Sequence, residues 1–554
     1  MTRTAKWALG ALAGLALLVG AAWLFQEEIM LEAIEFAARR RQPVGPNRPV
    51  VWERSDATNR IAADRPPNIV LILADDLGWN DLTFAGGGVA GGSVPTPHID
   101  SIARDGASFT WGYAGNGTCA PSRAAIMSGR YGTRFGFEFT PTPPGMSDMV
   151  GRIARSIPGR LRFPVPTATE AEIPYEDMGM PASEITLAEL LKRADYHAVH
   201  IGKWHLGRAK GMAPHDQGFD ESLLMASGLY LPVDDPNVVN SMQDFDPIDR
   251  FLWRALQFAA SFNGSDAFEP GGYLTDYYTD EAVRVIEANK DRPFFLYLAH
   301  WAPHTPLQAT RDDYEALAHI EDHRLRVYAA MIRALDRGVG RVLDALRKNG
   351  LEDDTLVFFT SDNGGAHYIG LPEVNRPFRG WKISFFEGGI HVPYFVKWPG
   401  RVPAGATLHA PVHHFDIFAT AAAAAGVPLP ADRKIDGVDL LPFARGERRD
   451  APHDRLFWRT GHYQVALVDG WKLQVNERPP GGTWLFDLRS DPTEQTNLAD
   501  REPERVARLR SLLAAHNAEQ SQPSWSSRAE MPINIDKTLA ESDAPDDEYI
   551  YWPN

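Results

Sequence analysis

The chain reads as an α/β protein: a large mixed, mostly parallel sheet covered by helices on both faces, then a smaller C-terminal antiparallel sheet with one packed helix. Three observations predict this. Strand-like apolar runs alternate with helical patterns through the body of the chain. Runs such as "NIVLILA" and "PFFLYLA" are apolar without interruption, as strands buried on both faces require. From about residue 446 the texture changes, and "RLFWRTGHYQVALVDGWKLQVNE" alternates around an Asp-Gly turn, the pattern of antiparallel strands. With 554 residues, 44% of them hydrophobic and 23% charged, the chain can bury a large core and is neither disordered nor fibrous.

At the N-terminus, Arg3 and Lys6 precede "WALGALAGLALLVGAAWLF", an uncharged stretch of bilayer-crossing length. Residues 1–27 are therefore expected to be a transmembrane anchor or a signal segment. The anchor is favoured, because the apolar core is long for a signal peptide and no small-x-small cleavage site precedes Gln26. Positive charge ahead of the span places the body outside the cytoplasm, periplasmic or extracellular, or secreted if the segment is cleaved. Residues 28–65 read as a juxtamembrane helix and a proline-containing linker, and the main domain is expected at 66–445. The C-terminal subdomain spans 446–520, with "EPERVARLRSLLAAHNAE" as its helix, and a polar, acidic tail, 521–554, ends in the aromatic "YIYWPN" expected to dock. There is no internal repeat. A net charge of −16 without a lysine- or arginine-rich stripe argues against nucleic acid as a partner.

Four apolar runs end in chemistry-bearing residues. "NIVLILADDLGWND" ends in Asp75 and Asp76, "HAVHIGKWHLG" in Lys203 and His205, "PFFLYLAHWAPHTP" in His300 and His304, and "TLVFFTSDNGG" in Asp362 and Asn363. In open α/β sheets ligands sit beyond the carboxyl ends of the strands, so these residues should converge on one edge. Each alone reads as a loop residue; four together read as a site. Asp75, Asp76, Asp362 and Asn363 offer only oxygen donors, which suit Ca²⁺ or Mg²⁺ better than zinc. Arg123, Lys203 and Lys382 supply positive charge, with His205, His304 and His300 alongside if the strand ends meet. A divalent cation plus three fixed cations exceeds what a neutral substrate needs and points to a sulfate or phosphate ester.

Cys119 is the single cysteine of the chain. In an exported protein it has no internal partner, so it is either an inert buried thiol or a reacting group. "GNGT" ahead of it is flexible, and "APSRAAIMSGR" after it reads as a helix start, with Pro121 in the first turn and Arg123 one turn on. A helix N-terminus favours developing negative charge there.

"TCAPSRAAIMSGR" resembles the signature of the type I sulfatases, in which the cysteine of a Cys-x-Pro-Ser-Arg core is oxidised to formylglycine after synthesis. The similarity continues through "NIVLILADDLGW", "GKWHLG", "APHTPL", "SDNGG" and "FFEGG" to "LFDLRSDPTEQTNLA". It implies an alkaline-phosphatase-like α/β/α sandwich and an arylsulfatase-like sulfuric ester hydrolase. It also implies one divalent cation, Ca²⁺ before Mg²⁺, held by Asp75, Asp76, Asp362, Asn363 and the modified Cys119. On the same grounds one hydroxyl of the aldehyde hydrate attacks sulfur, His304 is the acid for the leaving alcohol, Lys203 and Lys382 hold sulfate oxygens, and Arg123 and His205 hold the hydrate. Loss of a proton from the second hydroxyl then releases sulfate. A maturation enzyme that makes formylglycine is an implied partner.

Departures from the family pattern touch no implied ligand: Ser128, the "DYHAVHIGKWH" segment, and His391 where arginine is frequent. Rival readings are a phosphodiesterase or phosphonate monoester hydrolase of the same superfamily, and a catalytically silent surface protein. Two-metal hydrolases need histidine-rich sites, and a silent protein tolerates lost ligands. Specificity is expected in inserts at about 137–183 and 230–275. Within them, "MVGRIARSIPGRLRF" and "DRFLWRALQFAASF" read as helices that cover the core or lie at a bilayer surface.

Overall fold

Unbroken apolar runs become the centre of the sheet because each strand there must bury both faces. The computed structural model describes residues 2–5, 7, 12, 25–55, 65–84, 86–143, 145–167, 173–478 and 481–554. The expected membrane-crossing stretch falls almost wholly outside the described residues, among which no helix is long and apolar enough to cross a membrane.

In chain order the strands are β1 (Asn68–Ala74), β2 (Ala107–Tyr113), β3 (Val165–Pro166), β4 (His197–Gly202), β5 (Glu221–Gly228), β6 (Val238–Ser241), β7 (Phe258–Phe262), β8 (Phe294–Ala299) and β9 (Leu307–Thr310). They continue with β10 (Thr355–Ser361), β11 (Tyr394–Lys397), β12 (Ala406–His413), β13 (Arg455–Thr460), β14 (Tyr463–Val468), β15 (Trp471–Asn476), β16 (Gly482–Asp487), β17 (Ala529–Asn534) and β18 (Tyr549–Pro553). The main sheet has nine strands in the order β12-β2-β11-β10-β1-β8-β4-β5-β7. All neighbours pair in parallel except at β11 and the edge strand β7, which run against the rest. The four runs singled out in the sequence are β10, β1, β8 and β4, contiguous in the middle of the sheet.

Alternation along these strands splits the core into two layers. Val70 and Ile72 of β1 face a layer built on the helices Leu274–Ala288 and His323–Lys348. Ile69, Leu71 and Leu73 face the other layer, which contains the helices Cys119–Ser128, Leu187–Leu191 and Asp416–Ala424.

Strands β13 to β16 form the antiparallel C-terminal sheet, with Asp469 (φ 51°) and Gly470 (φ 77°) in the predicted tight turn between β14 and β15. The helix Pro503–Asn517 packs on it through Leu509 and Leu513. The tail docks: β17 and β18 form a three-stranded sheet with β3, and Trp552 is buried against Phe385 and Tyr463.

The inserts depart from the sequence reading in one respect. "DRFLWRALQFAASF" is helical only within Pro247–Ala255, after which Phe258–Phe262 pairs with β5 as the sheet edge. The helices Pro247–Ala255 and Met146–Ser156 pack on the N-terminal helix Gln26–Arg41. There Leu31 is buried with Ile153 and Ile157, and Arg254 pairs with Glu32 at 3.0 Å and Glu35 at 3.2 Å.

Candidate active site

Strand register assembles the cluster. Ala74 is paired with Ser361, so Asp75 and Asp362 leave β1 and β10 side by side. Ala299 is paired with both Leu73 and Gly202, which brings Lys203 and the segment after β8 to the same edge. Cys119 is the first residue of the helix Cys119–Ser128; Thr118 precedes it without a side-chain capping bond, and Pro121 falls in the first turn as its missing N–H allows. Three non-glycine residues around the site hold left-handed backbone: Asp76 (φ 63°), His205 (φ 62°) and Ile383 (φ 67°). Such strain persists where surrounding structure over-determines it.

Arg123 lies wholly buried between two carboxylates, Nη2 at 2.9 Å from Asp75 Oδ2 and Nε at 2.9 Å from Asp362 Oδ2. Lys203 Nζ is 2.7 Å from Asp75 Oδ2, and Lys382 Nζ is 2.7 Å from Asp76 Oδ1. Cys119 Sγ is 3.7 Å from Asp75 Oδ1. Asn363 donates through Nδ2 to Asp76 Oδ1 at 2.8 Å, and its Oδ1 is buried with no hydrogen-bond partner among the described residues. Asp75, Asp76, Cys119 and His304 each turn one ligand atom into a group no wider than 4.8 Å. An unpartnered carbonyl oxygen beside clustered carboxylates fits a hard divalent cation.

The charges respond to this packing. Burial, then the neighbouring Asp362, raises the Asp75 carboxyl to about 7. Burial pulls Asp76 the same way, but Lys382 above all, with Lys203, outweighs it and holds Asp76 below the usual carboxylate range. Burial opposes charge on Lys382 also, and Asp76 overcomes it, so its ammonium is held well above the ordinary value. Burial, with Lys203 and Arg123, pushes His205 well down, and its buried Nδ1 has no partner among the described residues. With Asp75 ionised, three carboxylates and three cations balance, and a bound divalent cation then leaves an excess that an anionic ester can match.

His304 behaves differently from the lone acid expected. Its Nδ1 lies 2.6 Å from Thr305 O, a carbonyl that only accepts, so the ring carries its proton there. Nε2 then accepts from Lys382 Nζ at 3.2 Å, and burial pushes the ring's proton affinity well down. His300 makes no hydrogen bond or ion pair to the cluster; both its ring nitrogens are buried without a partner among the described residues, and burial lowers it to about 4.

Two residues were missed. Tyr368 donates to Asp76 Oδ2 at 2.8 Å and accepts from Lys382 Nζ at 2.9 Å. Trp301 stacks on His304 with ring centroids 3.8 Å apart and lies under Lys203 Nζ at 4.6 Å. Trp301 sits inside the quoted run "PFFLYLAHWAPHTP", whereas Tyr368 follows Asn363 in the single-turn 3-10 helix His367–Ile369, too short to show periodicity.

The loop before β11 ties these parts together. Lys382 N donates to Gly365 O at 3.0 Å and Ile383 N to Gly117 O at 2.8 Å. Gly117 is required at its position, because a Cβ there would lie 2.5 Å from Ser384 O and 3.1 Å from the Trp552 ring.

A family model described as Sulfatase matches residues 67–427. The N-acetylgalactosamine-6-sulfatase of Mus musculus is 36% identical over 419 residues, 74% of this chain and 71% of that protein. The steryl-sulfatase of Mus musculus is 31% identical over 560 residues, 82% of each. Among solved structures, Ps i-CgsB superposes with a TM-score of 0.67 at 30% identity, covering 83% of this chain and 95% of that one.

Proposed function

Since this chain belongs to the sulfatase family and is a sulfuric ester hydrolase, we propose that it cleaves its sulfate ester through a formylglycine hydrate at position 119 with one divalent cation beside it. The observation that carries this is the position of Cys119, first in its helix, 3.7 Å from Asp75 and in one group of ligand atoms with Asp75, Asp76 and His304, beside the proposed ligands Asp75, Asp76, Asp362 and Asn363. Those four side chains and residue 119 would hold the cation, Ca²⁺ before Mg²⁺, since every protein donor other than residue 119 is a hard oxygen. When bound, the cation and the modified residue supply charge stabilisation and two hydroxyls, one to attack sulfur and one from which sulfate is later released.

The chain's own residues do the rest. Lys203 and Lys382 bind the sulfate oxygens and neutralise charge that builds on them. Arg123, pinned between Asp75 and Asp362, fixes the carboxylates and faces residue 119 from one turn along the same helix. The proton for the leaving alcohol is assigned to the His304–Lys382 pair and not to His304 alone, because Nε2 of His304 accepts from Lys382. His205, neutral through burial and its cationic neighbours, is the base assigned to the second hydroxyl.

The apolar segment at residues 7–25 is read as the export element, holding the body outside the cytoplasm. The test is release of inorganic sulfate from a panel of sulfated hexosamines, sulfated galactans, and aryl and steryl sulfates, using protein matured on its own cysteine. The Cys119 peptide should be about 18 Da lighter than the cysteine form. Turnover of a phosphonate monoester or phosphodiester, with no sulfate released from any ester, would overturn the reading.

A further inference from the structure

The loop that carries Lys382 is gripped from its far side by a buried set of charges that the reaction does not use. Lys472, on β15, is wholly buried, with Nζ 2.7 Å from Glu387 Oε1 and 3.0 Å from Glu494 Oε1. Glu494 also accepts the backbone N–H of Glu387 at 2.6 Å and the side-chain amide of Gln474 at 2.9 Å. Phe385 N donates to Tyr463 OH at 3.1 Å. The stretch between Lys382 and His391 is thus bonded on one side to Gly117 and Gly365 of the site and on the other to the C-terminal sheet.

His391 completes the grip. Its Nε2 lies 2.8 Å from Thr110 O, and its Nδ1 lies 2.7 Å from Glu387 Oε2. A carbonyl oxygen only accepts, so Nε2 carries a proton. Glu387 is a carboxylate: burial pulls its carboxyl up, but Lys472 and His391 outweigh that and hold it at about 2. Tyr113 OH adds a third donor to it, at 3.1 Å. Both nitrogens of His391 therefore face acceptors. The rings packed on His391 are Phe378, stacked at 4.2 Å, Trp79, edge-on at 4.7 Å, and Tyr113, tilted at 5.4 Å, whose hydroxyl is turned to Glu387. Glu494, raised to about 7 by burial and the neighbouring Glu387, shares Lys472, so Glu387 is the settled carboxylate of the set and the one that Nδ1 of His391 faces.

We propose that His391 is kept as a doubly protonated imidazolium and that, with Lys472, it clamps Glu387 so that the loop ahead of Glu387 holds Lys382 against Asp76. Both are positioning residues, acting through Lys382, and the proposal rests on the role given to Lys382 above. The C-terminal sheet then serves the reaction by holding one catalytic-loop ammonium in place, at a distance from the reacting atoms.

The experiment has two arms. In protein labelled with ¹⁵N-histidine, the resonances lost in His391→Arg identify His391, and both its nitrogens are expected at protonated shifts at neutral pH. A neutral-ring pattern overturns the proposal, whatever the enzyme's activity. The second arm compares kcat and KM for parent, His391→Arg, His391→Gln and Lys472→Met. Arginine keeps two donors and the charge and should stay within about threefold of the parent, while glutamine, neutral, should lose about tenfold or more in kcat. Lys472→Met tests the same clamp if a histidine variant folds poorly. In a Lys382→Ala background the His391→Gln loss should vanish, since the group being positioned is gone; full additivity would reduce the network to general stability and overturn the proposal. Absence of sulfatase turnover in the parent would remove the reading of the reaction, and the nitrogen shifts would still decide the state of His391.

Discussion

Cys119 Sγ and Asp75 Oδ1 stand 3.7 Å apart, where the first turn of a helix meets the end of the central strand. Burial pushes that thiol up to about 12. Unmodified and metal-free, the residue is a thiol at neutral pH and a poor nucleophile. Folded protein with an unconverted cysteine, kept in chelator at pH 8, should resist a thiol reagent until it is denatured. Fast stoichiometric labelling of the folded form would instead favour a thiolate mechanism.

Cys119→Ser separates the aldehyde hydrate from a simple alcohol. The serine hydroxyl can attack once, because Arg123, Lys203 and Lys382 are untouched, but it has no second hydroxyl from which to expel sulfate. Turnover should fall by orders of magnitude, with a species about 80 Da heavier accumulating in the intact mass spectrum. A variant that turns over at the parental rate would sink the two-hydroxyl mechanism.

Asp362 cannot be truncated cleanly, because it holds the buried Arg123 at 2.8 Å and accepts from Asp76 N at 3.3 Å. Asp362→Asn keeps the shape and removes the charge, and calorimetric titration should show Ca²⁺ affinity reduced roughly a hundredfold or more. Tyr368→Phe, which loses the donor to Asp76, should weaken it by about tenfold. Unchanged affinity in Asp362→Asn would remove Asp362 from the ligand set.

The Asp75 carboxyl, raised by burial and Asp362 to about 7 from an ordinary 3.8, links stability to pH. A raised carboxyl favours the folded state while protonated, so metal-free protein loses this contribution as pH climbs from about 4 towards 7. Cation binding needs the ionised form. The rise in Tm on adding Ca²⁺ should therefore be larger at pH 7.5 than at pH 5, and a rise independent of pH would contradict the raised Asp75.

Trp552 is buried beside Gly117, two residues from Cys119. Trp552→Ala should cost about 3–5 kcal/mol of stability in denaturant titration. Gly117→Ala, which places a methyl 2.5 Å from Ser384 O, should lower activity by shifting the loop that bears Lys382. Parental activity in Gly117→Ala would show that this loop is slack.

The strand ends were legible because local signals coincide there: an unbroken apolar run, then abrupt carboxylates or lysine. That is why β1, β4, β8 and β10 could be named and their polar termini grouped before any geometry was known. Cys119, Arg123 and Lys382 needed the family resemblance for their roles, since nothing in their spacing relates them to the strands. Tyr368 was invisible, being one aromatic residue in a single helical turn too short to carry a pattern. So was the link between Lys472 and Glu387, 85 residues apart, because long-range ion pairs leave no periodicity behind. The helix-to-strand change inside "DRFLWRALQFAASF" was hidden by apolar spacing that suits both structures.

The helix Gln26–Arg41 is fastened to the inserted helices by Arg254 and by the packing of Leu31 on Ile153. A flexible tether lets a body swivel about its attachment point and average over all headings. A helix locked along its length removes that freedom, so the catalytic cleft keeps a constant compass bearing relative to Phe25. Any surface reached through the residues ahead of Phe25 would meet the same side of the molecule on every encounter. Loosening Arg254 would change how often the cleft points the right way, without altering an atom inside it.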